Sequence, residues 1–335
     1  MTYRPAPRRS NVSKSGLNIS VARGSIRTIA CAVPAFSRSN DLIPNASKAA
    51  QVTGVMARRH GPNSGAFLCF AAARRAIAAT QWPLNSIDTL VMVTQTPERL
   101  IPGQGYDVHA WLGLPASCRV IDVNAGCAGY VQGLWLAMRS LDYGERALLL
   151  VGDTLSHVCD PSDRATAPLF GDAGSATAIE GTGEAHRFFF GTDGTGNDAL
   201  SQSGHSTLRM KGADVFAFTL RTVPGLVEDV LAAAVVFPGG RPDYLLFHQA
   251  NAFMLNHFAA MPILQEFKPE QIPRNVAEFG NCSSASIPLL VCDKLGPLLD
   301  KAPLAVAMFG YGAGWQWAGV NLGLGPGVSC PLVEV

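Results

Sequence analysis

Residues Val120 to Leu136 read VIDVNAGCAGYVQGLWL. An apolar run ends at Val123, six small or polar residues follow from Asn124 to Gly129, and then Val131, Leu134, Trp135 and Met138 share one helical face with Ala128. The spacing predicts a buried strand that turns sharply into a helix. Gly126 and Gly129 permit that turn and the close approach of a substrate, and Cys127 sits between them at the start of the helix. There the helix dipole is expected to favour thiolate over thiol, which is one way to activate a nucleophile; a small buried cysteine ahead of an apolar helix is the alternative. A second stretch, Val276 to Leu290 (VAEFGNCSSASIPLL), passes in the same way through small residues into a helix. The two lie about half a chain apart, which suggests two related halves that each offer a helix amino end to one site.

Further strands are expected at Ser25 to Ala32, Thr89 to Thr94, Arg119 to Val123, Ala147 to Val151, Tyr244 to Phe247 and Leu304 to Phe309, with a helix through Phe67, Phe70, Ala71, Ile77 and Ala78. Near-continuous apolar strands alternating with helices indicate an α/β protein whose sheets are covered on both faces. At 335 residues the chain spans about two ordinary domain lengths. Only 15% of its residues are charged against a usual ~25%, 48% are hydrophobic and mean hydropathy is +0.18. A disordered or highly charged scaffold is excluded, and a net charge of +1 gives no general attraction to nucleic acid or an anionic membrane. No apolar run approaches the ~18 residues of a membrane span. So apolar a chain is expected to bury surface between subunits, and a monomer in sedimentation at micromolar concentration would refute this.

The eight cysteines show neither a CxxC pair nor the compact spacing of a zinc site, so reduced thiols in a cytoplasmic protein are expected, with no metal. Before Asp41 the only charged residues are basic: Arg4, Arg8, Arg9, Lys14, Arg23, Arg27 and Arg38. A mobile basic arm over residues 1–24 accounts for this, with a transit peptide as the alternative. The turn Gly191 to Gly196 lacks the Lys-Ser/Thr ending of a phosphate loop and reads as an inter-strand turn.

Chemistry gathers at three places. Besides Cys127, the strand Tyr244 to Phe247 runs into His248-Gln249-Ala250-Asn251, which puts an imidazole at a carboxyl edge, where α/β folds keep their sites. Within Gly280 to Pro288, Asn281 could donate an amide hydrogen bond from a strained turn or cap a helix. Cysteine, histidine and asparagine at such ends form a plausible acyl-transfer set.

The order NAGCAGY, DPSDR…LFGDAGSATAIE, MKGADVF, HQAN, GNCSSASIP and FGYGAGWQWAGV resembles the β-ketoacyl-acyl-carrier-protein synthase III family of the thiolase superfamily, from about Ser25 to the end of the chain. The resemblance implies a five-layered α/β/α/β/α fold of two related halves, residues 25–184 and 185–335, and a homodimer. Cys127 matches the family nucleophile that takes an acyl group from a thioester; His248 and Asn281 match the pair that binds the extender carbonyl and supports decarboxylation. Backbone amides of Cys127, Tyr311 and Gly312 would form the oxyanion hole, although a tyrosine stands where the family has the central glycine of a triplet. Phe170 and Met210 match pocket positions, Arg164 and Asn251 match substrate-binding positions, and Ile101 lies where the partner subunit closes the acyl pocket. Substrates would be acyl-CoA or acyl-carrier-protein thioesters, with no permanently bound cofactor.

The departures from the family lie at the entrance. Ala46 to Gly54 lacks the tryptophan that stacks on adenine and the arginine before Thr53, while Phe253 and Ala217 stand where basic residues are usual. A specialised relative follows, performing decarboxylative condensation in secondary-metabolite or fatty acid biosynthesis. The alternatives are an acyltransferase that passes the acyl group to an alcohol, amine or carbon nucleophile with His248 as base, and a silent partner subunit.

Overall fold

A computed structural model describes residues 13–39, 46–204, 206–234, 237, 240–328 and 331–335. Strand β1 (Asn18–Val33) leads through the small ladder of β2 (Ser37–Ser39) and β3 (Ala57–Arg59), which flank helix α1 (Ala46–Thr53), to helix α2 (Gly65–Thr80). Then come β4 (Thr89–Val93), α3 (Gly105–Leu112), β5 (Arg119–Val123), α4 (Gly129–Arg139), β6 (Arg146–Thr154) and the long β7 (Asp172–Thr192). A short hairpin of β8 (Leu200–Ser201) and β9 (Arg209–Met210) precedes α5 (Gly212–Ala232), β10 (Tyr244–Phe247) and α6 (Ala252–Ala259). The chain closes with α7 (Val276–Phe279), α8 (Ser286–Leu290), α9 (Gly296–Leu299), β11 (Leu304–Gly312), β12 (Gln316–Leu324) and β13 (Leu332–Glu334).

The strand order is β10-β11-β12-β7-β6-β4-β5, with β1 paired to β7 and β13. β7 joins two regions. Its first part, Asp172 to Glu180, pairs with β6, and its last part, Phe188 to Thr192, pairs with β12. β1 follows it through both, with register shifts between Arg23 and Ser25 and between Ile26 and Thr28. Helices α4 and α8 pack between the two regions, α2 and α3 cover one outer face, and α5 and α6 cover the other. This is the layered α/β arrangement expected.

Strand alternation explains how both faces are filled. In β4, Val91 and Val93 point to the central layer beside Val131 and Leu134 of α4, while Leu90 and Met92 meet Ala72 and Ala76 of α2. In β11, Val306 and Met308 face the centre, and Ala307, Phe309 and Tyr311 face Leu255 and Phe258 of α6.

β1 begins at Asn18 rather than Ser25: Asn18 to Arg23 pair with Phe190 to Ala185, so that part of the expected arm is sheet. Residues 1–12 lie outside the described residues. β7 also runs unbroken through the division expected at residues 184 and 185. Cys31, Cys69, Cys118, Cys127, Cys282 and Cys292 are buried, Cys159 is half-buried, and Cys330 lies outside the described residues. Gly191 to Gly196 leads from β7 into a short 3-10 turn in which the Asp193 carboxylate accepts from Thr195 N–H. Among the described residues, no helix is long and apolar enough to cross a membrane, and no three or more His, Cys, Asp or Glu side chains are grouped to hold a metal.

Candidate active site

Cys127 follows the carboxyl end of β5 and precedes α4, and His248 follows β10, where its N–H donates to Phe309 O at 2.8 Å. Asn281 follows Gly280, whose φ of 68° and ψ of −159° belong to a backbone region that glycine alone adopts readily. A Cβ at 280 would also stand 2.7 Å from Leu169 O. Asn281 then bridges to Phe170: its N–H donates to Leu169 O at 2.9 Å, and Gly171 N–H donates to Asn281 O at 3.1 Å. Asn281 Oδ1 accepts from Ser283 N–H at 2.9 Å and so holds Ser283 at a φ of 49°.

These three turns come from both halves of the sequence and line one cavity of about 70 Å³, where Cys127, His248 and Asn281 are each at most 8% exposed. Phe170, Met210 and Asn251 line it too. Asn251 also caps α6, accepting from Met254 N–H at 2.8 Å. Arg164 is exposed on its turn and is not among the cavity's lining residues; Ile101 is 89% exposed and likewise lies outside its own chain's cavity.

The thiolate expected at Cys127 is corrected by burial. Loss of solvent, with Asp153 nearby, pushes the thiol up to about 12, overcoming hydrogen bonds from the backbone at Cys127 and Ala313 and from the Ser283 side chain. A dipole effect of ~0.3–1 kcal/mol is smaller than the desolvation cost of a buried charge. Burial likewise holds His248 down at about 3 against a hydrogen bond with the Ser283 backbone, so the imidazole is neutral at physiological pH. Its Nδ1 is buried without a partner, the state of an atom that a ligand would satisfy. Because the thiolate of Cys127 forms only as pH rises, alkylation at this residue by iodoacetamide should increase about tenfold per pH unit from pH 6 to 9. A plateau near neutrality, read by peptide mass at residue 127, would contradict the raised thiol.

Asp153 and the side-chain contacts of Tyr311 carry no signal in the sequence. Asp153, at the end of β6, accepts at Oδ1 from Thr94 Oγ1 (3.1 Å), Gln95 N–H (2.7 Å) and Thr96 Oγ1 (3.3 Å), and at Oδ2 from Ser284 Oγ (3.0 Å). It thereby ties the first half to the Asn281 turn. Tyr311 is accommodated by alternation along β11: Gly310 and Gly312 face Ala128 and Cys127, while the tyrosine points to the opposite face. A Cβ at 312 would lie 2.7 Å from Cys127 Cβ. The Tyr311 hydroxyl donates to His248 O at 2.9 Å, and its ring meets the imidazole edge-on at a centroid distance of 5.4 Å. Tyr311→Phe should cost about 0.5–1.5 kcal/mol, the net worth of one hydrogen bond, since His248 O keeps a second donor in Ala250 N–H at 3.0 Å; an unchanged urea midpoint would deny that this hydrogen bond matters.

At the entrance, Phe253 is 52% exposed and packs on Phe216 at 5.1 Å, and Ala217 is exposed. Residues 46–49 of the altered segment have no described side chains.

Residues 121–194 match the family model described as 3-oxoacyl-[acyl-carrier-protein] synthase III, and residues 241–324 match its C-terminal counterpart. A β-ketoacyl-[acyl-carrier-protein] synthase III of Prochlorococcus marinus is 32% identical over 289 residues, 79% of this chain and 84% of that protein. The chloroplastic synthase III B of Cuphea wrightii is 31% identical over 323 residues, 85% and 79% respectively. The crystal structure of a 3-oxoacyl-(acyl-carrier protein) synthase from Burkholderia xenovorans LB400 superposes with a TM-score of 0.89 at 35% identity, covering 96% of this chain and all of the other.

Proposed function

Because this chain belongs to the β-ketoacyl-acyl-carrier-protein synthase III family, we propose that it carries an acyl group on Cys127 and condenses it with a malonyl-type thioester, using His248 and Asn281. The observation that supports these roles is the meeting of the three side chains, from separate turns, in one buried cavity.

In the first step the sulfur of Cys127 attacks the acyl thioester carbonyl. The sulfur–carbonyl bond of the donor breaks, and the thiol proton leaves with the departing thiol. Backbone at Cys127 and Ala313 meets the sulfur, and with the amides of Tyr311 and Gly312, which line the same cavity, would hold the transient oxyanion. In the second step the extender's carboxylate leaves as carbon dioxide, and its bonding pair becomes an enolate. The neutral imidazole, in the tautomer that carries its proton on the cavity-facing nitrogen, would donate to the thioester oxygen beside the Asn281 amide. Two fixed donors stabilise the enolate more than the ground state. Its carbon attacks the acyl carbonyl, a carbon–carbon bond forms, and Cys127 sulfur is expelled and takes up a proton.

Acyl-CoA or an acyl carrier protein would supply the acyl group, without a resident cofactor. The chain would act as a homodimer: among the described residues β5 has β4 as its one strand neighbour in the sheet, and Leu100 and Ile101 are 84% and 89% exposed, as suits a loop that seats in a partner.

A second reading draws on the unpartnered His248 Nδ1. In the tautomer whose proton sits on the other ring nitrogen, that lone pair could take a proton from an alcohol or amine, and the acyl group would pass on without decarboxylation. Incubation with acyl thioesters followed by intact mass tests the first step, and carbon dioxide release from a malonyl thioester separates the two readings. Release supports condensation; acyl transfer without release supports the second.

A further inference from the structure

A second cavity, of about 130 Å³, meets Cys127 and Phe170 but none of His248, Asn251 and Asn281. Leucines and Phe170 form part of its wall, yet six polar side chains line it as well: Gln95, Thr96, Asn124, Ser201, Gln202 and Ser283. None of its lining residues is Lys, Arg or His.

Gln95 is built into this wall. Its backbone N–H is held by Asp153 at 2.7 Å, and its side-chain Nε2 points to Asn124 Oδ1 at 3.4 Å. Its Oε1 lies over the residue before the nucleophile, and a Cβ at Gly126 would overlap it. Glycine at 126 thus makes room for an amide immediately beside Cys127. Gln95 Oε1 and Asn124 Nδ2 then stand as an acceptor and a donor with no protein partner among the described residues.

We infer that the acyl group taken by Cys127 is a short hydroxyacyl, its neutral hydroxyl bound between the Gln95 and Asn124 amides. The inference rests on the acyl-enzyme reading above and names its substrate class. A hydroxyl gives a proton to one amide oxygen and receives one from the other amide nitrogen. A plain alkyl tail would desolvate both amides without return. An anionic tail would meet no cation among this chain's lining residues and would approach Asp153, whose Oδ1 already holds Gln95. Size limits the chain: a cavity of about 150 Å³ takes benzene, so ~130 Å³ suits roughly six heavy atoms, the number in a hydroxybutyryl group.

The test compares 3-hydroxybutyryl-CoA, butyryl-CoA and succinyl-CoA as donors to the full-length protein, following the Cys127 adduct by mass against time. Loading should be at least about tenfold faster with the hydroxyacyl donor than with either of the others. Gln95→Leu should bring butyryl level with or ahead of 3-hydroxybutyryl, and Asn124→Ala, at an exposed position, should narrow the preference even if the first variant does not fold. Butyryl or succinyl loading as fast as 3-hydroxybutyryl in the unaltered protein would overturn the inference while leaving the acyl-enzyme reading in place. No adduct on Cys127 from any donor would overturn both.

Discussion

Cys127→Ala is expected to remove acyl loading altogether, with no adduct by intact mass under conditions in which the unaltered protein is fully modified. The sulfur is the one atom in the cavity that this substitution deletes, and its neighbours at Gly312, Ala313 and Ser283 hold their places through their own backbones. Folding should hardly change: the Ala side chain occupies the same buried volume less one atom, a loss of about 1 kcal/mol. The variant should still decarboxylate a malonyl thioester slowly, because His248 and Asn281 are supplied by other turns. An adduct that persists on the variant would place the nucleophile at another of the thiols, of which Cys69 and Cys282 are buried and carry pKa values raised by desolvation.

Asn281→Ala should slow decarboxylation by about 10²–10³, the loss usual when one of the donors to a developing oxyanion is deleted, and should spare acyl loading by comparison. The amide has two tasks. Its Nδ2 would meet the extender, while its Oδ1 fixes Ser283 N–H and through it the turn that contacts both Cys127 and His248. Loss of the oxygen costs about 1–3 kcal/mol in unfolding free energy. Asn281→Asp separates the tasks, since it keeps an oxygen for Ser283 while removing the donor. Decarboxylation that survives in the Asp variant, or falls in step with loading in the Ala variant, would leave Asn281 a structural role only.

The strands that carry Cys127 and His248 could be read from sequence because runs such as Leu245 to Phe247 are apolar on both faces and end abruptly at polar turns. β7 and β12 were not legible. Asp172 to Thr192 is rich in Gly, Ala, Ser and Thr, and Gln316 to Leu324 is broken by glycines, so neither shows the bulky pattern of a buried strand. Their small side chains serve packing: Gly174 lets α2 lie directly on β7, where a Cβ would meet the backbone at Leu68 and Cys69. The positions of Cys127, His248 and Asn281 were legible because each stands beside a turn motif. Their ionisation was not, since burial is set by layers of helix and sheet distant in sequence. Asp153, Gln95 and the side-chain role of Tyr311 gave no local signal: they act through partners 58 to 131 residues away or through alternation along a strand.

Because β1 and β7 each run through both regions of the sheet, neither half of the chain possesses a complete sheet of its own. Cutting the polypeptide between the nucleophile's half and the half that carries His248 would leave two fragments with raw strand edges rather than two working modules. The duplication legible in the sequence is therefore no longer a division that the molecule can undo, and the distance between sulfur and imidazole is fixed by two shared beams rather than by a hinge.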